Sequence, residues 1–316
     1  SYLAADIGGT YSRLAWSPDR AAQGEQEQVF NNAEFDSLEA VIDRGLAMRG
    51  LAGQPIGHLV LAVPGPVHDD PVALTNIDWQ LHRETLKTRY QASQLTIVND
   101  FQAAALGAVA EPPERLKPLN PVNKGDGPRV VAGAGTGLGM AWFADAQGTG
   151  LPRATEGGHL DFAPNTLDQL ELYNCLAGRY GHVSYERILS GDGLTDCYRF
   201  FAGDRAQATG PAEVAKLARQ DDPQARRAVQ TFVEIFAAYA GNLALAFNPT
   251  GGIYLCGGLT VHLADWFDPG AFLAAYTAKG RMRKVVQRIP VFMVTRHDTG
   301  LTGAKMIAEN YYRADP

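Results

Sequence analysis

The chain has 316 residues, of which 46% are hydrophobic and 20% are charged. This length is more than one hydrophobic core usually needs and predicts a soluble protein of two lobes. A formal net charge of −6 disfavours nucleic acid and anionic membranes as partners. The three cysteines form no Cys-x-x-Cys pair, and no apolar stretch free of glycines or charges reaches bilayer length. We therefore expect a cytoplasmic protein without disulfides, zinc or a membrane span.

The first third of the chain predicts a sheet that begins antiparallel. Apolar or alternating residues predict strands over Tyr2–Ala5, Arg13–Trp16 and Glu27–Asn31. Two further strands, Leu59–Val63 and Leu95–Val98, are mostly apolar and are expected to be buried. Strands that alternate with helices from here on indicate an α/β fold.

Two helices are predicted among these strands. Asp36 is placed at the N-cap of the first helix, with Glu39 in the capping-box position, and Gly50 ends it. The second helix is the alanine-rich segment Phe101–Val109, directly after the last of the strands.

A segment rich in proline, asparagine and glycine, Leu116–Pro128, predicts a boundary between two lobes. We place one lobe at residues 1–110 with 298–316, and the other at residues 111–297. The order of strands followed by helices then begins again, which predicts a duplicated fold with a cleft between the halves. The predicted elements are the strands Val130–Ala132, Leu138–Phe143, Ile253–Cys256 and Val291–Val294, helices from about Leu167, the long helix Gln224–Phe247, and a terminal helix, Leu301–Tyr311, that returns to the first lobe.

Two glycine-threonine loops follow predicted strands in different lobes. Glycine lets backbone N–H groups approach phosphate oxygens, and threonine adds a hydroxyl donor. We therefore expect one nucleotide between the loops, with Asp6, just before the first loop, holding Mg²⁺ through water. Alternatively, Asp6 is only a turn carboxylate at a strand end. The loop residues are Gly8, Gly9 and Thr10 in the first loop, and Gly135, Thr136 and Gly137 in the second.

The strand that ends in Asn99 and Asp100 carries the candidate catalytic group. Open α/β sheets place ligand contacts at the ends of strands, where a carboxylate can accept the proton of a hydroxyl that attacks phosphorus. Asp100 is equally explained as a helix N-cap, whereas Asn99 is harder to explain as a cap alone. Together with the two loops, this pair points to phosphoryl transfer.

A third cluster supplies hydrogen-bonding groups. Glycines between Glu156 and His159 allow a turn that places both side chains on one wall, and Glu186 lies in a later segment. Each has a simpler explanation, His159 as a structural histidine and Glu186 as a first-turn helix carboxylate. Taken with the Asn-Asp pair, they form a set suited to a polyhydroxylated molecule.

Seven segments resemble bacterial-type glucokinases, the hexokinase relatives within the actin-like ATPase superfamily. They cover nearly the whole chain in the order found in that family. The segments are DIGGTYSRLAW (6–16), LTNIDW (74–79), IVNDF (97–101), GAGTGLG (133–139), EGGHLDFAP (156–164), HVSYERILSGDGL (182–194) and GGIYLCGGL (251–259).

The resemblance implies an α/β, two-lobed actin-like ATPase (ribonuclease H-like) fold, in which each lobe is a mixed sheet flanked by helices. ATP and glucose would bind in the interlobe cleft, and the protein would be a homodimer. Asp100 would be the general base on the sugar 6-hydroxyl. The other implied sugar contacts are Asn99, Glu156, His159 and Glu186. The implied ATP contacts are Gly8, Gly9, Thr10, Gly135, Thr136 and Gly137 at the phosphates, and Gly257 and Gly258 at adenosine.

Three positions depart from the family pattern. Tyr11 and Ser12 follow Gly-Gly-Thr, where the family usually has asparagine and alanine, and Asp69 replaces a turn glycine. These departures leave two alternatives open, a sugar-binding sensor with weakened catalysis and a kinase for another hexose such as mannose or glucosamine. The cysteine-rich zinc motif of the related repressor and sugar-kinase group is absent, which argues against that branch.

Overall fold

The computed structural model describes residues 1–18, 27–75, 77–144 and 150–311. The chain divides into two compact units. Unit 1 comprises Ser1–Ala110 and Asp298–Pro316, and unit 2 comprises Glu111–His297. Asn76, within the LTNIDW segment, is outside the described residues.

The described strands are distributed over both units. Those of unit 1 are β1 (Tyr2–Ile7), β2 (Tyr11–Ser17), β3 (Glu27–Asn31), β4 (His58–Val63), β5 (Val72–Ala73), β6 (Gln80–Leu81) and β7 (Gln94–Asn99). Those of unit 2 are β8 (Leu116–Pro118), β9 (Arg129–Ala134), β10 (Leu138–Phe143), β11 (Arg153–Thr155), β12 (Gly252–Cys256) and β13 (Val291–Val294).

The described α-helices follow the same division, with the last returning to unit 1. The helices before the boundary are α1 (Leu38–Met48), α2 (Arg83–Arg89) and α3 (Asp100–Ala110). Unit 2 contains α4 (Leu167–Tyr180), α5 (Gly191–Ala202), α6 (Pro211–Arg219), α7 (Pro223–Phe247), α8 (Gly258–His262), α9 (Pro269–Tyr276) and α10 (Arg283–Val286). The final helix, α11 (Thr299–Tyr311), belongs to unit 1 and packs against α3, β1 and β4.

The main sheet of unit 1 is mixed, with the order β3-β2-β1-β4-β7. β1, β2 and β3 pair antiparallel, which confirms the predicted start of the sheet, whereas β1, β4 and β7 pair in parallel. β4 is buried along its whole length, as expected for a parallel strand covered on both faces. Because β1, β4 and β7 run in the same direction, their carboxyl ends bring Asp6 and Asn99 to one edge of the sheet.

The described sheet of unit 2 is also mixed, with the order β11-β10-β9-β12-β13-β8. β9, β12 and β13 are parallel, and the remaining pairs are antiparallel. Helix α7 is the one described helix long and apolar enough to span a membrane, but 78% of its apolar window is buried in the protein. A core helix meets the same criteria, so α7 is weak evidence for a membrane span.

The predicted N-cap of α1 was wrong by one residue. Ser37 is the cap, because its backbone is extended (φ −160°, ψ 162°) and its side chain accepts a hydrogen bond from the Ala40 N–H at 3.2 Å. Asp36 therefore lies outside the helix. Glu39 becomes the second helical residue and is too early in the helix to complete a capping box.

The other predicted helix ends agree with the structure to within two residues. Gly50 follows the last turn of α1, and its N–H donates to the Ala47 carbonyl at 3.0 Å. α7 begins at Pro223, where the Asp222 side chain accepts from two backbone N–H groups. It ends at Asn248, which adopts the left-handed conformation.

Candidate active site

The first glycine loop is a tight connection between β1 and β2. The Gly8 N–H donates to the Tyr11 carbonyl at 2.9 Å and closes the hairpin. Gly9 and Thr10, at the tip, are exposed. A ligand can therefore reach the backbone N–H groups at the tip and the threonine hydroxyl, whereas the Gly8 N–H is already engaged within the loop.

Asp6 lies just before this loop and is largely enclosed, with 15% of its side chain exposed. Its Oδ2 is 3.9 Å from Nη1 of Arg13, the residue opposite it in the β1–β2 register. Gly300 in α11 covers the other side, where a Cβ would lie 2.6 Å from Oδ2. Only glycine leaves room for the carboxylate at this contact.

The electrostatics of Asp6 reflect this enclosure. Burial raises the pKa of Asp6 from 3.8 to about 6, against the opposing effect of the Arg13 guanidinium, and the Asp100 carboxylate raises it further. The carboxylates of Asp6 and Asp100 are thus near enough to interact. A cation bound beside them would relieve this repulsion.

Asn99 and Asp100 make different contacts at the start of α3. The Asn99 Oδ1 accepts from the N–H groups of Phe101 and Gln102 at 2.9 and 3.3 Å, and its Nδ2 donates to the Gly65 carbonyl at 3.2 Å. Asn99 therefore acts as the cap of α3, which the sequence analysis had considered the less natural explanation of that residue.

The Asp100 carboxylate has one recorded backbone partner outside its own residue. Its Oδ1 accepts from the Phe101 N–H at 2.8 Å. Burial raises the pKa of the Asp100 carboxyl above its usual range, although backbone N–H groups of Phe101 and Asp100 oppose the shift. A partly desolvated carboxylate at a strand end has the properties of a general base.

The second glycine loop joins β9 to β10 in unit 2. Gly133 lies within β9, so the turn itself comprises Gly135–Gly137. The Gly135 N–H donates to the Gly137 carbonyl, and the Gly135 carbonyl accepts from the Gly191 N–H at the start of α5, both at 2.9 Å. Thr136 at the tip is exposed.

Glu186 contacts both this loop and His159. Together with Glu156, these two residues form a wall of unit 2. Its Oε2 accepts from the Leu138 N–H at 2.9 Å, and a Cβ on Gly137 would lie 2.6 Å from the same oxygen. Its Oε1 is 3.7 Å from Nε2 of His159, which is 3.8 Å from the Glu156 Oε2. The three residues that the sequence assigned to a sugar therefore lie together in unit 2.

Backbone contacts hold the two segments of this wall in register. His159 ends a short 3₁₀ helix, Gly157–His159, and the carbonyl of the next residue, Leu160, accepts from the Tyr185 N–H at 2.9 Å. Asp161 and Ser184 form a β-bridge beside it. The exposed side-chain fraction falls from 92% at Glu156 to 55% at His159 and 32% at Glu186, so the carboxylate of Glu186 is the most constrained.

The predicted adenosine contacts lie next to the same sheet edge. Gly257 follows β12, which is parallel to β9, and a Cβ there would lie 2.4 Å from the Ala134 carbonyl. Gly258 begins α8, is exposed, and would place a Cβ in open space. The backbone around Gly258 is therefore accessible to a flat ligand beside the second loop.

Two contacts at Asp6 were missed from the sequence. Arg13 could have been found, because a hairpin with the two residues Gly9 and Thr10 at its tip places Arg13 opposite Asp6. Gly300 could not, since it is almost 300 residues away along the chain and meets Asp6 only through the packing of α11.

The groups described above are suited to a nucleotide and its cation. No cluster of three or more histidine, cysteine or acidic side chains with metal-binding geometry occurs in the described part of the chain. A carboxylate that holds a hydrated Mg²⁺ through water needs no such cluster, and the enclosed Asp6 beside a second carboxylate is suited to this role. The exposed tips of the two loops fit phosphate oxygens.

Mixed sheets flanked by helices, with glycine loops at the ends of strands, are features of an α/β sugar kinase. The chain belongs to the glucokinase family, since the family model described as Glucokinase matches residues 3–311.

Relatives and solved structures agree with this assignment. The chain is 38% identical to the glucokinase of Chromohalobacter salexigens and 36% identical to that of Erwinia tasmaniensis, in both cases over 96% of this chain and 95% of the relative. A crystal structure of glucokinase from an Antarctic psychrotroph matches with a TM-score of 0.82 at 27% identity, over 98% of each chain. A ROK family glucokinase from Streptomyces griseus, solved with glucose and AMPPNP, matches with a TM-score of 0.64 over 97% of this chain and 98% of that one. At 20% identity, the last likeness shows the fold alone.

Proposed function

We propose that the protein transfers the γ-phosphoryl group of ATP to the 6-hydroxyl of D-glucose, giving glucose 6-phosphate and ADP. The observation that carries the proposal is the convergence of Glu156, His159 and Glu186, in a chain of the glucokinase family. A pair of carboxylates around an imidazole supplies acceptors and a donor for adjacent hydroxyls.

The division of labour between the units follows from the groups that each contains. Unit 1 is proposed as the small lobe, with the first phosphate loop and the base. Unit 2 is proposed as the large lobe, with the second loop and the sugar and adenosine contacts. ATP and glucose binding in a cleft between the lobes, as in the actin-like ATPase fold, is part of the same proposal.

The chemical step needs alignment and one proton acceptor. Asp100 takes the proton of the 6-hydroxyl as its oxygen attacks the terminal phosphorus, and the raised pKa makes this carboxylate a stronger base. Glu186 is held by the Leu138 N–H, so one of its oxygens remains to orient the sugar. Asn99 reaches the sugar only through the remaining N–H of its amide, because Oδ1 accepts two backbone hydrogen bonds.

The nucleotide is held by groups already described. The tips Gly9–Thr10 and Gly135–Gly137 surround the phosphates, and Gly257 and Gly258 leave room for adenosine. Asp6 holds Mg²⁺ through water. When bound, the ion neutralises charge on the phosphates and aligns them. Cytoplasmic location and a homodimer remain proposals that the family resemblance supports.

The sensor alternative finds no support at the departing positions. The Tyr11 side chain is 48% exposed and Asp69 is exposed, so neither fills the first loop. Preference for another hexose is decided by the same experiment that tests the main proposal.

The test is a coupled assay of ADP formation over a panel of hexoses, with Asp100→Asn as the diagnostic variant. We expect glucose to give the highest kcat/KM, and kcat in Asp100→Asn to fall about 10²- to 10⁴-fold. The glucose-induced rise in melting temperature should persist in that variant, since the other sugar contacts remain. Exposed Asp69→Asn is the matched control and should retain full kcat. Full activity in Asp100→Asn would show that Asp100 is not the general base. A wild type that forms no ADP with any hexose would contradict the proposed kinase activity.

A further inference from the structure

We propose that Asn32, together with Ser12, is a positioning residue that sets the conformation of the first phosphate loop. This inference rests on the proposed function, because it assigns the loop to the nucleotide. Neither residue belongs to the phosphate, sugar or cation contacts described above. Ser12 was singled out by the sequence only as a departure from the family pattern.

Asn32 contacts both sides of the loop. It begins the short 3₁₀ helix Asn32–Glu34 directly after β3. Its backbone N–H donates to the Thr10 carbonyl at 2.9 Å, and its Nδ2 donates to the Gly8 carbonyl at 2.7 Å. One residue thus holds the carbonyls on either side of Gly9.

Ser12 supplies the hydrogen-bond partner of the other end of the Asn32 amide. The Ser12 hydroxyl donates to the Asn32 Oδ1 at 2.7 Å. The Gly8 carbonyl can only accept, so the atom that faces it must be Nδ2, and the other end of the amide is left as an acceptor for the serine hydroxyl. With alanine at position 12, Oδ1 would lose this buried partner.

The contacts lie in a site closed to water. Ser12 is fully buried and Asn32 is 2% exposed. A buried polar group that loses its partner keeps its full desolvation penalty, so the pair strongly favours one arrangement of the loop. Asn32 holds the Gly8 and Thr10 carbonyls by hydrogen bonds. The orientation of the peptide N–H groups at the exposed tip is therefore fixed before any ligand binds.

The consequence concerns phosphate alignment and leaves the sugar wall unaffected. Fixed N–H donors stabilise developing charge more effectively than donors that must reorganise. The Glu156–His159–Glu186 wall belongs to unit 2, whereas Asn32 belongs to unit 1. Loss of Asn32 should therefore impair use of ATP and leave glucose recognition intact.

The test measures steady-state kinetics and amide hydrogen exchange in wild type and Asn32→Ala. We expect kcat/KM for MgATP to fall about 10- to 100-fold, as a misplaced donor set would produce. KM for glucose at saturating MgATP should stay within about two-fold of wild type, since its contacts are untouched. The Gly8 amide, which closes the hairpin, should exchange at least about ten-fold faster in the variant.

Asn31→Ala is the matched control. Asn31 is the adjacent asparagine, and its side chain accepts from the Ala33 N–H at 3.1 Å to cap the same 3₁₀ helix, but within the described part of the chain it makes no side-chain hydrogen bond to the loop. An equal loss of kcat/KM for MgATP in Asn31→Ala would show that the effect is general destabilisation and would overturn the proposal.

A double-variant comparison covers the case in which Asn32→Ala does not fold. Asn32→Asp retains the acceptor for Ser12 and loses the donor to Gly8, and should reproduce the ATP-specific defect. Ser12→Ala should give a smaller defect. The double variant with Asn32→Asp should lose less kcat/KM for MgATP than the product of the two single fold-losses, because both substitutions act on the same amide. Independent, multiplying effects would contradict a shared role.

The outcomes also separate this inference from the proposed function. A wild type without ADP formation rejects the kinase and leaves hydrogen exchange to test the loop. An active wild type whose kcat/KM for MgATP and Gly8 exchange are both unchanged in Asn32→Ala and Asn32→Asp rejects the positioning role alone.

Discussion

Replacing Asp6 by asparagine should make the protein more stable near neutral pH. The Asp6 carboxylate is enclosed by Gly300 and by β2, and burial raises its pKa from 3.8 to about 6. Asparagine has nearly the same shape and no charge, so Asp6→Asn removes the penalty for ionising a buried group without opening a cavity.

The sign and size of this change in stability follow from the linkage between proton binding and folding. Asp6 ionises near pH 3.8 in the unfolded chain and near pH 6 in the folded one. Between these values the unfolded state releases its proton first, so the Asp6 contribution to stability is greatest at low pH and is lost as the pH rises through about 6. One pKa unit corresponds to about 1.4 kcal/mol, so the loss is about 3 kcal/mol at full ionisation.

The assay is urea unfolding of both proteins in a chelator, followed by tryptophan fluorescence, to which Trp16 and Trp79 of unit 1 contribute. Asp6→Asn should exceed wild type by roughly 1 kcal/mol in free energy of unfolding at about pH 4.5 and by roughly 3 kcal/mol at about pH 7.5. The exposed variant Asp69→Asn should show no such widening. A stability difference for Asp6→Asn that is constant over this range, or that favours wild type at high pH, would refute the argument from burial.

Three further predictions concern Gly300, Asp6 and the contact between Asn242 and Tyr185. Gly300→Ala should lower the free energy of unfolding by about 1–3 kcal/mol, because its Cβ meets the Asp6 carboxylate, and Asp6→Ala in the same chain should restore part of that loss in urea unfolding. In the wild type, kcat/KM for MgATP should decline as the pH falls through about 6, since Asp6 must be ionised to hold Mg²⁺; a flat profile down to about pH 5 would argue against that role. Asn242→Ala removes the donor to the Tyr185 hydroxyl, 2.7 Å away, beneath the turn that carries Glu186. KM for glucose should rise about 3- to 10-fold with KM for MgATP unchanged, and a rise in both would indicate general loosening of unit 2.

The sequence was sufficient where local chemistry decides the structure. Apolar runs located β1, β4, β7 and β9, and Asn248-Pro249 marked the end of α7. Glycine followed by threonine after a strand located the β1–β2 and β9–β10 turns, because glycine permits the backbone conformations that tight turns need. The error at the start of α1 arose because Asp36 and Ser37 are both good caps, and the extended backbone of Ser37 chose between them.

Tertiary structure alone decided which distant groups meet. Gly300 reaches Asp6 because α11 returns to unit 1, and Glu186 reaches Gly137 and His159 because a backbone bridge joins two segments of unit 2. The pairing of Ser12 with Asn32 depends on the register between β2 and β3. Periodicity and propensity act over a few residues, whereas these contacts are selected by the packing of whole elements, which no local pattern records.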